Sequence, residues 1–104
     1  MLVSLQTAIS AKELLIECLG EDGEVVPGRH FLEELAKEDL TFPDALYVLR
    51  HGCVTEPADQ DIRTREWKYT IEGREPDGQW IRVIFSFKAI NRAFLITIFS
   101  VRGS

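Results

Sequence analysis

The apolar positions in the first half of the chain recur with helical spacing in three stretches. In the first stretch, Ser10 and Glu13 have the spacing of a capping box, and Gly20 marks the end of the helix. A second amphipathic helix is predicted from about Arg29 to Lys37, after a turn-rich connection in which residues 25–26 form a brief extended piece.

The third helix has the best-marked boundaries. Thr41 and Asp44 have capping-box spacing, Pro43 suits a first helical turn, and Gly52 follows the last apolar position. The apolar stripe has the spacing i, i+3, i+4, i+7 and consists of Phe42, Ala45, Leu46 and Leu49. Residues 53–55 are either a short strand or the exit from this helix, and residues 56–61 predict an acidic loop.

The apolar period changes from helical to strand-like after Arg65. Residues 67–71 alternate between apolar and polar, residues 74–78 predict a turn, and residues 80–88 predict the second strand of a hairpin. Residues 94–101 are apolar at both parities, which predicts a strand that is covered on both faces or lies centrally. The fold class is therefore α+β: two or three N-terminal helices packed on a C-terminal antiparallel sheet of three or four strands.

The length of 104 residues with 45% hydrophobic residues predicts a single domain over residues 1–104. We expect a cytoplasmic protein without a membrane partner, because the chain has neither a long apolar run nor a signal-peptide pattern. Cys18 and Cys53 belong to no metal or redox motif and are interpreted as small buried hydrophobes; their pairing stays open. No cofactor or metal is expected, since no Walker, GxGxxG, HExxH or GxSxG motif occurs.

The net charge of −5 conceals an asymmetry along the chain. Residues 1–62 contain 13 acidic and 4 basic side chains, whereas residues 63–104 contain 4 acidic and 8 basic ones. The basic part is the part that predicts a sheet, so positive charge is expected on the sheet although the whole protein is acidic.

One face of the predicted sheet combines cations with an aromatic side chain. If the apolar parity of the strand 80–88 faces the helices, Trp80, Arg82 and Lys88 lie on the other side together with Lys68. Further cations near this face are Arg63, Arg65, Arg74 and Arg102. Such a surface suits phosphates and a stacked base of single-stranded RNA, but charged side chains on a sheet face also serve solubility alone, and both interpretations stay open.

The two histidines are the side chains whose ordinary pKa suits proton transfer near neutral pH. His51 lies in the last turn of the third helix, where a cationic imidazole favours the helix C-terminus, and we interpret it as structural. His30 lies at the start of the second helix and is either a general-base candidate or a structural histidine.

The segments GRHFLEELAKEDLTFPDALYVLRHGCV (28–54), EWKYTIEGREPDGQWIRVIFSF (66–87) and FLITIF (94–99) together resemble the bacterial domain-of-unknown-function family 4258, from about Val25 to Phe99. That family is similar in outline to RelE-like ribonuclease toxins, including the motility quorum-sensing regulator toxin. Where the family commonly has His-Ala-x-x-Arg-Met, this chain has His30 but carries Glu34 at the position of the basic residue.

The resemblance implies a RelE-like fold, an RNA substrate and an antitoxin protein encoded nearby. Cleavage of RNA needs a base for the 2′-hydroxyl, charge stabilisation at the phosphate and an acid for the leaving oxygen. Arg82 and Lys68 are the candidate phosphate stabilisers, and His30 is the candidate base; Trp80 and Lys88 would contact RNA with Arg63, Arg65, Arg74 and Arg102. Two alternatives use the same face without catalysis: a module that docks a partner protein, and a homodimer.

Overall fold

Three helices pack against one face of a five-stranded sheet in the computed structural model, which describes residues 3–101. In chain order the elements are α1 (Ala8–Cys18), β1 (Glu24–Pro27), α2 (Arg29–Lys37), α3 (Phe42–His51), β2 (Cys53–Gln60), β3 (Trp67–Arg74), β4 (Trp80–Ala89) and β5 (Arg92–Ser100). The predicted α+β class is confirmed. None of the helices in the described part of the chain is long and apolar enough to cross a membrane.

The sheet is larger than the three or four strands that the sequence predicts. Its strand order is β1-β5-β4-β3-β2, with β1 parallel to β5 and all other pairs antiparallel. The segment 56–61 is acidic and contains turn-forming residues, which predicts a loop, but β2 continues through Pro57 to Gln60. Since β2 lies at the edge of the sheet, a missing ladder donor is tolerated there, and a register shift occurs between Thr55 and Asp59.

The hairpin between β3 and β4 matches the sequence pattern. Arg74 pairs with Trp80 across the turn, and Gly78 has φ +93°, a conformation that side chains with a Cβ rarely adopt. With that turn fixed, every residue from Lys68 to Arg74 has a defined partner on β4.

Helix boundaries follow local capping. The predicted capping box of α3 is confirmed: the backbone N–H of Thr41 donates to Asp44 Oδ2 at 2.9 Å, and the N–H of Asp44 donates to Thr41 Oγ1 at 3.3 Å. The predicted Ser10–Glu13 cap of α1 is wrong. The helix begins earlier, at Ala8, and Thr7 is its N-cap: the side-chain oxygen of Thr7 accepts the N–H of Ser10 at 3.1 Å.

The core lies between the helices and the inner parity of the strands, as the alternation predicts. Its fully buried members on the sheet include Ile71, Ile81, Val83, Phe85, Leu95 and Ile98, and the helices contribute Leu15, Phe31, Val48 and Leu49. Burying each such side chain contributes about 1.5–3 kcal/mol, so this layer fixes which parity of each strand remains uncovered.

The two cysteines differ from each other. Both are free thiols, Cys18 is buried and Cys53 is exposed, so the prediction of two buried hydrophobes is wrong for Cys53. Burial raises the pKa of the Cys18 thiol to about 11, with a smaller contribution from the negative charge of Glu17.

Candidate functional site

The side of the sheet opposite the helices is the candidate site, and we call it the open face. It is formed by residues that follow from the strand register: Lys68, Thr70, Glu72 and Arg74 on β3, Trp80, Arg82, Ile84, Ser86 and Lys88 on β4, and Phe94, Ile96, Thr97 and Phe99 on β5. Its middle is mostly apolar, because the half-buried side chains of Ile84, Phe94, Ile96 and Phe99 lie there, with Thr97 opposite Ile84. Charged side chains therefore surround a half-buried apolar strip.

Three predicted phosphate contacts are engaged by carboxylates. The Nε atom of Arg82 donates to Glu72 Oε2 at 2.7 Å, and Lys88 Nζ donates to both oxygens of Glu66 at 2.8 and 2.9 Å. Lys68 Nζ lies 3.9 Å from an oxygen of Asp61, a looser ion pair. Each pair is partly exposed and adds little to stability, but together they neutralise much of the expected positive charge.

Lys68 and Lys88 lie on one small cleft, and Arg82 is not among the residues that line it. The cleft has a volume of about 180 Å³ and is lined by Asp61, Thr64, Glu66, Lys68, Ser86, Lys88, Phe94 and Ile96. Lys88 Nζ lies 5.1 Å from the centre of the Phe94 ring, a cation–π contact. The structure thus brings together two of the three cations that the sequence placed near one another.

Ser86 forms part of the cleft and is an unusual residue. It is 1% exposed, and its Oγ atom has no hydrogen-bond partner among the described residues. Buried hydroxyl groups in native proteins are nearly always hydrogen-bonded, since leaving one unpaired costs about 1–3 kcal/mol. Its cross-strand neighbours are Lys68 on β3 and Phe94 on β5.

The turn between β2 and β3 closes the cleft on one side. Asp61 Oδ1 accepts the backbone N–H groups of Arg63 and Thr64, both at 2.9 Å. Hydrogen bonds from the backbone of Thr64 and Arg63 lower the pKa of Asp61, and the charge of Lys68 adds to this effect. Arg63 and Arg65 are exposed on this turn, and neither forms an ion pair within the described part of the chain.

The other end of the open face is built around Trp80, and we call it the tryptophan end. Trp80 is 37% exposed, and the guanidinium carbon of Arg74 lies 5.0 Å from the centre of its ring. A shallow depression of about 290 Å³ adjoins it, lined by His51, Gly52, Cys53, Thr55, Glu72, Gly73, Arg74 and Trp80. His51 also packs against Tyr47, with the ring centres 4.4 Å apart.

The remaining predicted site residues do not join the open face. His30 is exposed at the start of α2, a helix that packs on the opposite side of the sheet, so it is not placed beside Lys68 and Arg82. Arg102 lies outside the described residues. Between residues 3 and 101 no group of three His, Cys, Asp or Glu side chains is arranged to hold a metal ion.

The counter-ions Asp61, Glu66 and Glu72 and the unpartnered hydroxyl of Ser86 are the site features that the sequence reading missed. The position of one of them, Glu72, can be predicted from the sequence. Because the hairpin turn pairs Arg74 with Trp80, counting back along both strands places Glu72 opposite Arg82. Asp61 and Glu66 had no such signal, since their positions depend on the conformation of the turn that contains them.

Comparison with known proteins identifies a family and no characterised relative. The model of the family described as a domain of unknown function (DUF4258) matches residues 28–100. No match to the chain was found among curated proteins, and none was found among solved structures. The matched segment runs from the residue before α2 to the end of β5 and so contains the complete open face. The chain therefore belongs to the DUF4258 family of domains of unknown function.

Proposed function

We propose that the open face is a protein-docking surface that binds an acidic segment of a partner protein. The observation that supports this proposal is the arrangement of the face, in which an apolar strip is surrounded by charged side chains and has an exposed tryptophan at one end. Protein interfaces share this anatomy of an apolar centre and a polar rim, and Trp and Arg are the residues most often responsible for binding energy.

Positive charge that remains unpaired favours an acidic partner. Arg63, Arg65 and Arg74 form no ion pair within residues 3–101, and Lys68 is only loosely paired. A peptide segment can place single carboxylates next to these groups while its apolar side chains cover the strip. The resemblance to toxin–antitoxin systems suggests where the partner is encoded: beside this gene, as a cytoplasmic antitoxin.

Catalysis on RNA has weaker support from the geometry. The candidate base His30 lies on the helix side of the domain, and Arg82 is bonded to Glu72. An RNA backbone would also bring a row of phosphates close to Asp61, Glu66 and Glu72. Binding to a polyanion depends on net positive charge, and these carboxylates reduce it.

A RelE-like ribonuclease toxin is the second candidate, and one observation favours it. The exposed cations Arg63 and Arg65 lie on the turn beside the cleft that contains Lys68 and Lys88, so one end of the face has a local excess of basic side chains. In this proposal Lys68 and Arg82 stabilise charge on the phosphate, and Arg82→Ala lowers cleavage of single-stranded RNA by about 100-fold.

The test is co-purification of the protein with the product of the neighbouring gene, followed by a binding measurement. Trp80→Ala is expected to weaken the complex about 30-fold, which corresponds to about 2 kcal/mol, because it removes the exposed aromatic anchor. Leu32→Ala is the matched control, since Leu32 is an exposed apolar residue on α2.

The same samples distinguish the alternatives. Cleavage of single-stranded RNA by the purified protein, lost in Arg82→Ala, would replace the docking proposal with the ribonuclease one. A mass that doubles with protein concentration and returns to that of a monomer in Trp80→Ala would instead identify a second copy of the chain as the occupant of the face.

A further inference from the structure

We propose that the cleft beside Ser86 binds a carboxylate group, which Ser86 and Lys68 hold together. This inference rests on the proposed function, and it specifies the chemistry of one contact: an Asp or Glu side chain of the docked segment enters the cleft.

The hydroxyl of Ser86 makes no hydrogen bond within residues 3–101. Its Oγ atom is buried without a partner, although the position lies in the middle of a strand where an alanine would fit the same space. The buried hydroxyl therefore lowers the stability of the free protein, and no hydrogen bond there compensates for the loss of its hydration. A ligand oxygen that accepts the Ser86 O–H would supply that contact.

The ammonium group of Lys68 is only loosely held by its counter-ion. Its Nζ atom is 3.9 Å from Asp61 Oδ2, too far for a hydrogen bond, and Oδ1 of the same carboxylate is occupied by two backbone N–H groups. Lys88 differs, because both oxygens of Glu66 accept hydrogen bonds from it. Lys68 is thus the cation of the cleft whose ammonium group makes no hydrogen bond within residues 3–101, and it is the direct cross-strand neighbour of Ser86.

These two donors determine the class of ligand. A hydroxyl and an ammonium group that lack hydrogen-bond partners call for an oxygen acceptor. Glu66 neutralises Lys88, whereas Asp61 pairs only loosely with Lys68, so the charge on Lys68 favours an anionic acceptor. The apolar wall of Phe94 and Ile96 suits the methylene groups of an acidic side chain. The volume of about 180 Å³ is below the roughly 300–1,000 Å³ of small-molecule pockets, so the cleft fits one side chain better than a complete metabolite.

Entry to the cleft requires a small rearrangement. The Oγ atom of Ser86 is covered in the free protein, and Lys68 is the neighbouring side chain with the weakest attachment. In the proposed complex Lys68 moves away from Asp61 toward Ser86, its cross-strand neighbour, so that the hydroxyl and the ammonium group meet the ligand together.

The experiment uses the intact protein and sodium acetate as the probe, with sodium chloride at equal ionic strength as the reference. We expect saturable NMR shifts of the backbone amides of Lys68, Ser86 and Phe94 in acetate only. Ser86→Ala and Lys68→Gln should each weaken acetate binding about tenfold, as expected for loss of a hydrogen bond to a charged group. Lys37→Gln, which alters an exposed lysine on α2, should leave it unchanged.

Three results would overturn the inference: equal shifts in acetate and chloride, acetate binding that survives both cleft substitutions, or inorganic phosphate binding far more tightly than acetate, which would assign the cleft to a phosphate ligand. The probe needs no partner protein. The two tests are therefore independent. If acetate does not bind, the docking proposal can still be tested with Trp80→Ala, and if docking fails, acetate binding can still be measured.

Discussion

The two ends of the open face differ in the contacts that their side chains make within the protein. At the tryptophan end an exposed indole is stacked with Arg74, and the nearby Arg82 is fixed by a short bond to Glu72. At the cleft end Ser86 is buried without a partner, and Lys68 is loosely held. The indole is therefore held by a contact within the free protein, whereas two polar groups of the cleft, the Ser86 hydroxyl and the Lys68 ammonium group, have no hydrogen-bond partner there.

The backbone is closely packed beside the tryptophan end. Gly52 is buried where α3 meets β3, and a Cβ atom there would lie 2.7 Å from the carbonyl oxygens of Glu72 and Val48. Gly52→Ala is therefore expected to lower the free energy of unfolding by about 3 kcal/mol, measured by urea denaturation. Gly20→Ala is the control, because its Cβ would meet one oxygen at 3.3 Å. Equal losses in the two variants would show that Gly52 is not tightly enclosed.

At the other end of the open face, around the cleft beside Ser86, a substitution is expected to stabilise the protein and not to destabilise it. Ser86→Ala removes a buried hydroxyl that has no partner, so we expect the free energy of unfolding to rise by about 1 kcal/mol even as acetate binding falls. Ser10→Ala is a contrasting variant, because the hydroxyl of Ser10 lies within 2.9 Å of Thr7 Oγ1 and its loss should not stabilise the protein. Destabilisation by Ser86→Ala would mean that the hydroxyl has a partner in solution.

The smallest expected effect concerns the turn beside the cleft. The pKa of Asp61 is lowered from 3.8 by backbone hydrogen bonds from Thr64 and Arg63, with a contribution from Lys68. Because the folded pKa lies below the unfolded one, the stabilising contribution is complete above pH 3.8 and is lost as the pH falls further, through the folded pKa. An NMR titration of the side-chain carboxyl carbon measures this directly. A midpoint at or above 3.8 would contradict the described turn, and Asp61→Asn should remove the transition.

Much of the fold follows from local patterns. The capping box of α3, the bounds of α2 and the inner parity of β4 were all correct, because each depends on neighbouring residues and on a single apolar face. The two strands that the sequence did not clearly predict, β1 and β2, lie at the sheet edges. Their formation depends on partners far away in sequence, and Pro57 obscured the pattern of β2.

The candidate site was only partly predictable for a related reason. Alternation along β3 and β4 correctly placed Lys68, Trp80, Arg82 and Lys88 on one face, but alternation says nothing about which carboxylates approach them. Whether Ser86 has a partner depends on side chains from three strands and a turn. Such features require the assembled sheet, in which carboxylates pair with most of the cations that alternation alone places on an open surface.

Docking of a partner on the open face is tested most directly with the two tryptophans of the protein, which provide an internal comparison. Trp80 lies on the open face, whereas Trp67 is half-buried and packs against the core on the other side. Their indole N–H signals can be followed by NMR while the product of the neighbouring gene is added. The docking account predicts a large change in the Trp80 signal and a much smaller one for Trp67. A stable complex that leaves the Trp80 signal unchanged would contradict it.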